Sequence, residues 1–257
     1  MTVTVGIIQD AACAGIAESW LGGPSGGPEV VVSPPASVEE LAGTASVIIL
    51  AVADERLPGT MTALRSLAAA QAAVVSTSCV VPLEVLRTLA GAGPTLFRAV
   101  ISPGCDPGEA VVALAPEPGT PAEAVELVTR ALGALGTVEI VAEDALDAVA
   151  ALVFGSAGFL AEALQGLEEG AVRDGLPRDT ARAFAHQTGL ATALLLRDHP
   201  GSPADLKDQV ASPGGTTIAA LATLEDAGVR GAYIRAVQRT AVEIRRRRDA
   251  ARSGVIE

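Results

Sequence analysis

An α/β chain in two parts is predicted: an N-terminal Rossmann-like domain with a parallel sheet, then an all-helical C-terminal domain. Three observations predict it. Short β-branched runs alternate with longer Ala/Leu-rich segments from Met1 to about Val141, the punctuation of βαβ units. Strand signals vanish from about Glu143 onward. And 257 residues suffice for two cores. The expected division is residues 1–142 for the sheet domain and 143–257 for the helices.

In chain order, the expected strands are Val3 to Ile8, Val30 to Val32, Val47 to Val52, Ala73 to Ser76 and Leu96 to Val100. They are almost continuously apolar, as strands buried on both faces must be. Met61 to Ala70 and Leu83 to Leu89 read as covering helices, and Gly22 to Pro28 as a turn between the first helix and the second strand. The second half reads as helices over Ala145 to Asp174, Arg178 to Leu196, Thr216 to Ala227 and Ala232 to Arg248, separated by Gly175-Leu176-Pro177 and His199-Pro200-Gly201. These helices are apolar, yet aromatic residues make up only 2% of the chain. They are therefore expected to interlock with a second subunit, giving a dimer or higher assembly.

A formal charge of -12 argues against nucleic acid or an anionic membrane as partner, since either needs a basic stripe. Arg245 to Arg248 is the one basic cluster, read as a solvated final turn or a contact with an acidic subunit. The apolar stretch Ala148 to Ala161 is glycine-broken and too short to span a bilayer, so it reads as a buried helix. Met1 leads straight into the alternating Thr2-Val3-Thr4-Val5 strand, with no apolar leader, and a cytoplasmic location is expected. Cys13, Cys79 and Cys105 are odd in number and lack metal spacing, so reduced thiols are expected, with no metal site.

The most informative segment is Asp208-Gln209-Val210-Ala211-Ser212-Pro213-Gly214-Gly215-Thr216-Thr217-Ile218-Ala219-Ala220-Leu221. Pro213 cannot sit inside a helix, whereas Thr217 to Leu224 is helix-forming, so Ser212 to Thr217 surround the uncapped N–H groups of a first turn. Glycines admit an anion to that backbone, hydroxyls add donors, and the helix dipole favours negative charge there. Together with Leu224 to Val237, the segment resembles the C-terminal signature of the pyrroline-5-carboxylate reductases, which reduce a cyclic imino acid to proline with NAD(P)H. The resemblance implies that Ser212, Gly214, Gly215, Thr216 and Thr217 hold the substrate carboxylate, with Thr217 also near the ring nitrogen and carrying the catalytic role. It also implies a nucleotide-type domain followed by a helical dimerisation domain, and NAD(P)H as cofactor.

The cofactor side departs from that pattern. A diphosphate touches backbone only where no side chain intervenes, and the family has a run like Gly-Ala-Gly-Asn-Met-Ala after the first strand. This chain has Gln9-Asp10-Ala11-Ala12-Cys13-Ala14. After the third strand it has Val52-Ala53-Asp54-Glu55 where the family has Val-Lys-Pro-Gln. A carboxylate about 5 Å from a phosphate at an effective dielectric near 20 opposes it by roughly 3 kcal/mol. Gln9, Asp10, Ala11, Cys13 and Ala53 thus mark a degenerate cofactor site, and no cofactor is assigned from the residues alone. Val100-Ile101-Ser102-Pro103-Gly104, Val153 to Phe159 and Gln165 also differ from the family, whereas Arg98-Ala99, Gly108-Glu109 and Asp147-Ala148-Val149 remain in register.

Other chemistry is sparse. The cysteines lie just beyond strand C-termini, where a thiol could act as a nucleophile, but small buried hydrophobes are the default. His186 and His199 form no triad by spacing, and Lys207, the only lysine, reads as a surface residue. Asp10, Asp54 and Glu55 could form a carboxylate cluster for proton transfer or a cationic ligand. The primary expectation is a reductase-like enzyme that binds a small amino or imino acid and catalyses a non-redox step such as cyclisation, dehydration or isomerisation. The alternatives are NAD(P)H-dependent reduction of 1-pyrroline-5-carboxylate or a related cyclic imine, and a catalytically silent dimer partner.

Overall fold

The computed structural model describes residues 3–10, 29–33, 41, 43–66, 72–102 and 108–254. Seven strands form one sheet in the order β2-β1-β3-β4-β5-β6-β7: β1 Thr4–Gln9, β2 Glu29–Ser33, β3 Val47–Ala51, β4 Ala73–Ser76, β5 Thr95–Ile101, β6 Ala110–Pro116 and β7 Gly136–Ile140. β1 lies between β2 and β3, parallel to both, with Val5 opposite Val30 and Val47. That reversal of strand order is the switch point at which doubly wound sheets open their ligand crevice.

Alternation along the strands divides the core into two layers. Val5, Ile7, Val47, Ile49, Val75 and Phe97 face one side, where they meet Val128, Ala131 and Leu132 of helix α3, Ala122–Leu132. Ile8, Ile48, Leu50, Val74 and Leu96 face the other. There they meet Leu57, Met61 and Leu64 of α1, Leu57–Ser66, and Leu83 and Leu86 of α2, Leu83–Ala90. Each such side chain taken wholly from water contributes about 1.5–3 kcal/mol, so this two-sided burial is what fixes the strand register.

The sheet is not wholly parallel. β6 runs antiparallel to β5 and β7 runs parallel to β6, an extension that the sequence reading does not contain. Residues 102–109 between β5 and β6 are too few for a parallel crossover, which needs about a dozen or more. Gly136 has a structural reason at the β7 start, because a Cβ there would stand 2.0 Å from the Ala110 carbonyl oxygen.

The helices of the second half are α4 Leu146–Arg173, α5 Arg178–Asp198, α6 Pro203–Val210, α7 Thr216–Asp226 and α8 Val229–Arg252. By contact, the chain divides into Met1–Phe154 with Arg239–Glu257, and Gly155–Gln238. In this division by contact α4 is shared between the two units, and the end of α8 counts with the sheet. Leu146 and Ala150 pack with Val100, Ala113 and Ala115, with Ile244 beside them. Arg248 also donates at 2.5 Å to Asp147, whose side chain is 3% exposed.

In the second unit Arg178 and Arg182 hold the buried Glu168 across the α4–α5 pair. Leu160, Leu167, Phe184, Leu190, Leu195 and Ile234 remain exposed, apolar surface of the kind that a subunit interface covers. Among the described residues, one stretch, Glu143–Arg173, is long and apolar enough by length and composition to cross a membrane.

Candidate functional site

Two sets of residues carry the site chemistry, one in each unit. In the helical unit, α6 ends at Val210 and the chain turns through Ser212-Pro213-Gly214-Gly215. The Gly215 N–H donates to the Ser212 carbonyl at 3.0 Å and Gly214 has φ +69°, the arrangement of a type II turn with Pro at its second position and Gly at its third. Gly215 is the N-cap of α7, with φ -81° and ψ 170°. A Cβ at Gly215 would stand 2.4 Å from Ser212 Oγ, so glycine is what lets that hydroxyl fold back over the helix mouth.

The two neighbouring helix starts differ in a telling way. At α6 the protein satisfies its own donors: Ser202 Oγ accepts from the Asp205 N–H at 3.4 Å, and Asp205 Oδ2 accepts from the Ser202 N–H at 2.6 Å. At α7 no side chain caps the helix. Ser212, Thr216 and Thr217 are exposed around it, leaving first-turn N–H groups and hydroxyls available to an anion. A carboxylate there gains about 0.3–2 kcal/mol from the dipole and about 1.5–3 kcal/mol from each charge-assisted hydrogen bond.

Lys207 lies 3.7 Å from Glu225, which also accepts from Arg230 at 2.7 Å. Arg230, then Lys207, hold the Glu225 carboxyl below its ordinary range. Lys207 is thus a surface ion-pair residue. His199 Nδ1 accepts from the Gly201 N–H at 2.8 Å. His186 lines a cavity of about 370 Å³ with Gln165, Glu168, Arg178 and Arg182. Among the described residues no group of histidines, cysteines and carboxylates could hold a metal.

The second set lies at the C-terminal edge of the sheet. Gln9, the last residue of β1, is in register with Ala51. Asp10 Oδ2 accepts from the Ala53 N–H at 2.8 Å, so the first and third strands are tied together through a carboxylate. Gln9 Oε1 is buried without a hydrogen-bond partner. An orphaned acceptor beside a carboxylate suits the hydroxyl and carboxamide donors of a nicotinamide dinucleotide. Neither group suits its diphosphate, and Ala11 and Cys13 lie outside the described residues, as does Cys105.

Next to it stands a network that the sequence reading missed. Arg98 of β5 is wholly buried and donates to the carbonyls of Ser78 at 3.2 Å and Cys79 at 2.9 Å. It also donates to Glu143 Oε1 at 2.9 Å. Glu143 Oε1 in turn accepts from the Leu83 N–H at 2.7 Å, capping α2. Ser78 Oγ accepts from the N–H groups of Val80 at 3.2 Å and Val81 at 2.9 Å. The one visible signal was an arginine inside the apolar run Leu96-Phe97-Arg98-Ala99-Val100. Cys79 is half-buried and its sulfur is not disulfide-bonded. It packs between two core layers, as the bland reading of a small hydrophobe expects.

Comparison with known proteins adds the following. A family model described as pyrroline-5-carboxylate reductase dimerisation matches residues 143–247. The pyrroline-5-carboxylate reductase of Methanosarcina acetivorans is 31% identical over 193 residues, covering 75% of this chain and 72% of that one. That of Synechocystis is 32% identical over 210 residues, covering 82% and 77%. Among solved structures, a pyrroline-5-carboxylate reductase from Coxiella burnetii superposes with a TM-score of 0.83 at 20% identity, covering 95% and 98%. A Plasmodium falciparum pyrroline carboxylate reductase with NADP bound gives 0.79 at 17% identity, covering 95% and 97%.

Proposed function

Because this chain belongs to the pyrroline-5-carboxylate reductase family, we propose that it reduces 1-pyrroline-5-carboxylate or a related cyclic imino acid with NAD(P)H. The relatives turn the reading toward reduction and away from the non-redox step expected from the sequence. The observation that carries the proposal is the open N-terminus of α7 behind a Pro-Gly turn, inside the segment that resembles the family signature.

In this reading the substrate carboxylate accepts from the first N–H groups of α7, with Ser212 and Thr217 hydroxyls as further donors. Gly214 supplies the left-handed turn, and Gly215 leaves the space in which backbone and anion meet. Thr217 sits beside the ring nitrogen. Gln9 and Asp10 would take hydroxyl or amide donors of the dinucleotide, which when bound supplies the hydride. Self-association through residues 143–247 accords with the dimerisation model matched there, and a cytoplasmic setting belongs to the same proposal.

The test is loss of reduced-nicotinamide absorbance with purified protein and 1-pyrroline-5-carboxylate, run with NADPH and with NADH. Turnover with either supports reduction. No oxidation at high enzyme concentration, in a preparation that still binds a pyrrolidine carboxylate by calorimetry, rejects it in favour of the non-redox reading.

A further inference from the structure

Strand order reverses at β1, so the lips of the ligand crevice are the ends of β1 and β3, and this chain bridges them with a side chain of its own. Asp10 follows directly on β1, and Ala53 stands two residues beyond β3. The Asp10 N–H donates to the Ala51 carbonyl at 3.2 Å, which carries the β1–β3 ladder one bond further. The Ala53 N–H then donates to Asp10 Oδ2 at 2.8 Å. Both bonds lie inside the sheet unit.

A backbone N–H on the lip of such a crevice is a donor that a nucleotide phosphate can take. Here it is already spent on an anion built into the chain. Asp10 thus occupies the place of a ligand anion in two ways: it holds the donor, and it brings negative charge to the mouth of the crevice. The turn that follows Ala53 adds Asp54 and Glu55 ahead of Arg56. A carboxylate accepts from a ligand hydroxyl readily, but it can only repel a phosphate. Gln9 points the same way, since its Oε1 is a buried acceptor without a partner. Residues 9 and 10 therefore present acceptors where a diphosphate needs donors.

We propose that Asp10 is a specificity-determining residue that holds down the affinity of this crevice for dinucleotides by standing in for their diphosphate. This rests on the reductase reading, in which NAD(P)H is the ligand. Charge and occupation of the Ala53 N–H both act against phosphate. Neither acts against ribose hydroxyls or a carboxamide, so recognition shifts toward those groups and the cofactor is held loosely.

Two variants separate the effects. Asp10→Asn keeps an oxygen that accepts from the Ala53 N–H and removes the charge, whereas Asp10→Ala removes both and frees the donor. The measurement is the dissociation constant of NADPH, and of NADH, from the fluorescence of the reduced nicotinamide on titration with the full chain, without substrate. Asp10→Asn tightens binding about 10-fold at low salt, and the gain shrinks near 1 M salt, where the screening length is about 3 Å. Asp10→Ala tightens it further, and the additional gain persists in salt. Should Asp10→Ala show no cooperative melting transition, Asp10→Asn decides alone. Binding by Asp10→Asn no tighter than wild type, or a gain undiminished by salt, overturns the proposal by itself when the wild type oxidises NADPH with 1-pyrroline-5-carboxylate. If the wild type oxidises no cofactor and neither it nor the variants bind a dinucleotide, the reductase reading falls and this proposal with it.

Discussion

Arg98 and Glu143, 45 residues apart in sequence, meet at 2.9 Å with the guanidinium side chain 1% exposed and the carboxylate 33% exposed. The pair joins four elements: β5 provides Arg98, the β4 exit provides the Ser78 and Cys79 carbonyls, α2 provides the Leu83 N–H, and Glu143 opens the turn into α4. Removing one partner of a buried pair leaves an uncompensated charge and costs about 3–5 kcal/mol. Glu143→Ala therefore destabilises the sheet unit by an amount toward the low end of that range, since Glu143 is part-exposed. Urea unfolding followed by near-UV circular dichroism measures it, and a midpoint equal to wild type contradicts it.

Thr217→Ala removes a hydroxyl from the mouth of α7 without touching a packed side chain. Its effect falls on ligand capture: a loss of about 1 kcal/mol, roughly 5-fold in affinity, for a pyrrolidine carboxylate in calorimetry. Melting temperature stays within a degree or two. Gly215→Ala goes further, because its methyl collides with Ser212 Oγ, and it weakens capture more than Thr217→Ala does. Equal affinities for both variants and wild type would remove the carboxylate seat from Ser212 to Thr217.

Asp54 also makes stability depend on pH, with a sign opposite to that of most aspartates. Its folded pKa lies above the ordinary 3.8, chiefly because burial disfavours the charged form. The folded state therefore binds the proton more tightly than the unfolded chain, a stabilisation complete below about pH 3.8 and lost as pH rises through the folded value. Asp54→Asn escapes that loss. It melts higher than wild type at pH 7, and the gap closes as pH drops toward 4 in scanning calorimetry.

Glu168 behaves in the reverse sense. Arg182, then Arg178, hold its carboxyl below the ordinary 4.5. Its contribution is present above that value and fades as pH falls through the lower folded one. Glu168→Gln loses the benefit at neutral pH and flattens the acid limb. Helix content of the variant followed by far-UV circular dichroism from pH 7 to pH 3 checks both effects.

How much of this was legible follows from what each feature depends on. β1, β3, β4 and β5 were readable because burial on both faces makes a strand largely apolar, as in Val47 to Leu50. The Ser212 to Thr217 turn was readable because Pro and Gly impose backbone geometry locally. β6 was not: Ala110–Pro116 is rich in alanine, fits helix or strand, and becomes a strand only because β5 offers it a ladder. The α6 capping box at Ser202 and Asp205 was local and could have been read from the Ser-Pro-Ala-Asp spacing. The Arg98–Glu143 and Asp10–Ala53 contacts span 45 and 43 residues, and no periodicity reports such a meeting. At the cofactor edge the sequence recorded missing glycines but not the orphaned acceptor of Gln9, which exists only once β1 is packed.

Helix α7 contributes no buried residue, and Ile218 and Leu224 stand 44% and 50% exposed on it. A segment of 11 residues is too short to stay helical in water on its own propensity, so the platform that fixes the anion draws its rigidity from whatever covers those aliphatic side chains. Dilution below the dissociation constant of the subunits should then loosen ligand capture and melt this helix together, so that enzyme concentration itself acts on apparent affinity.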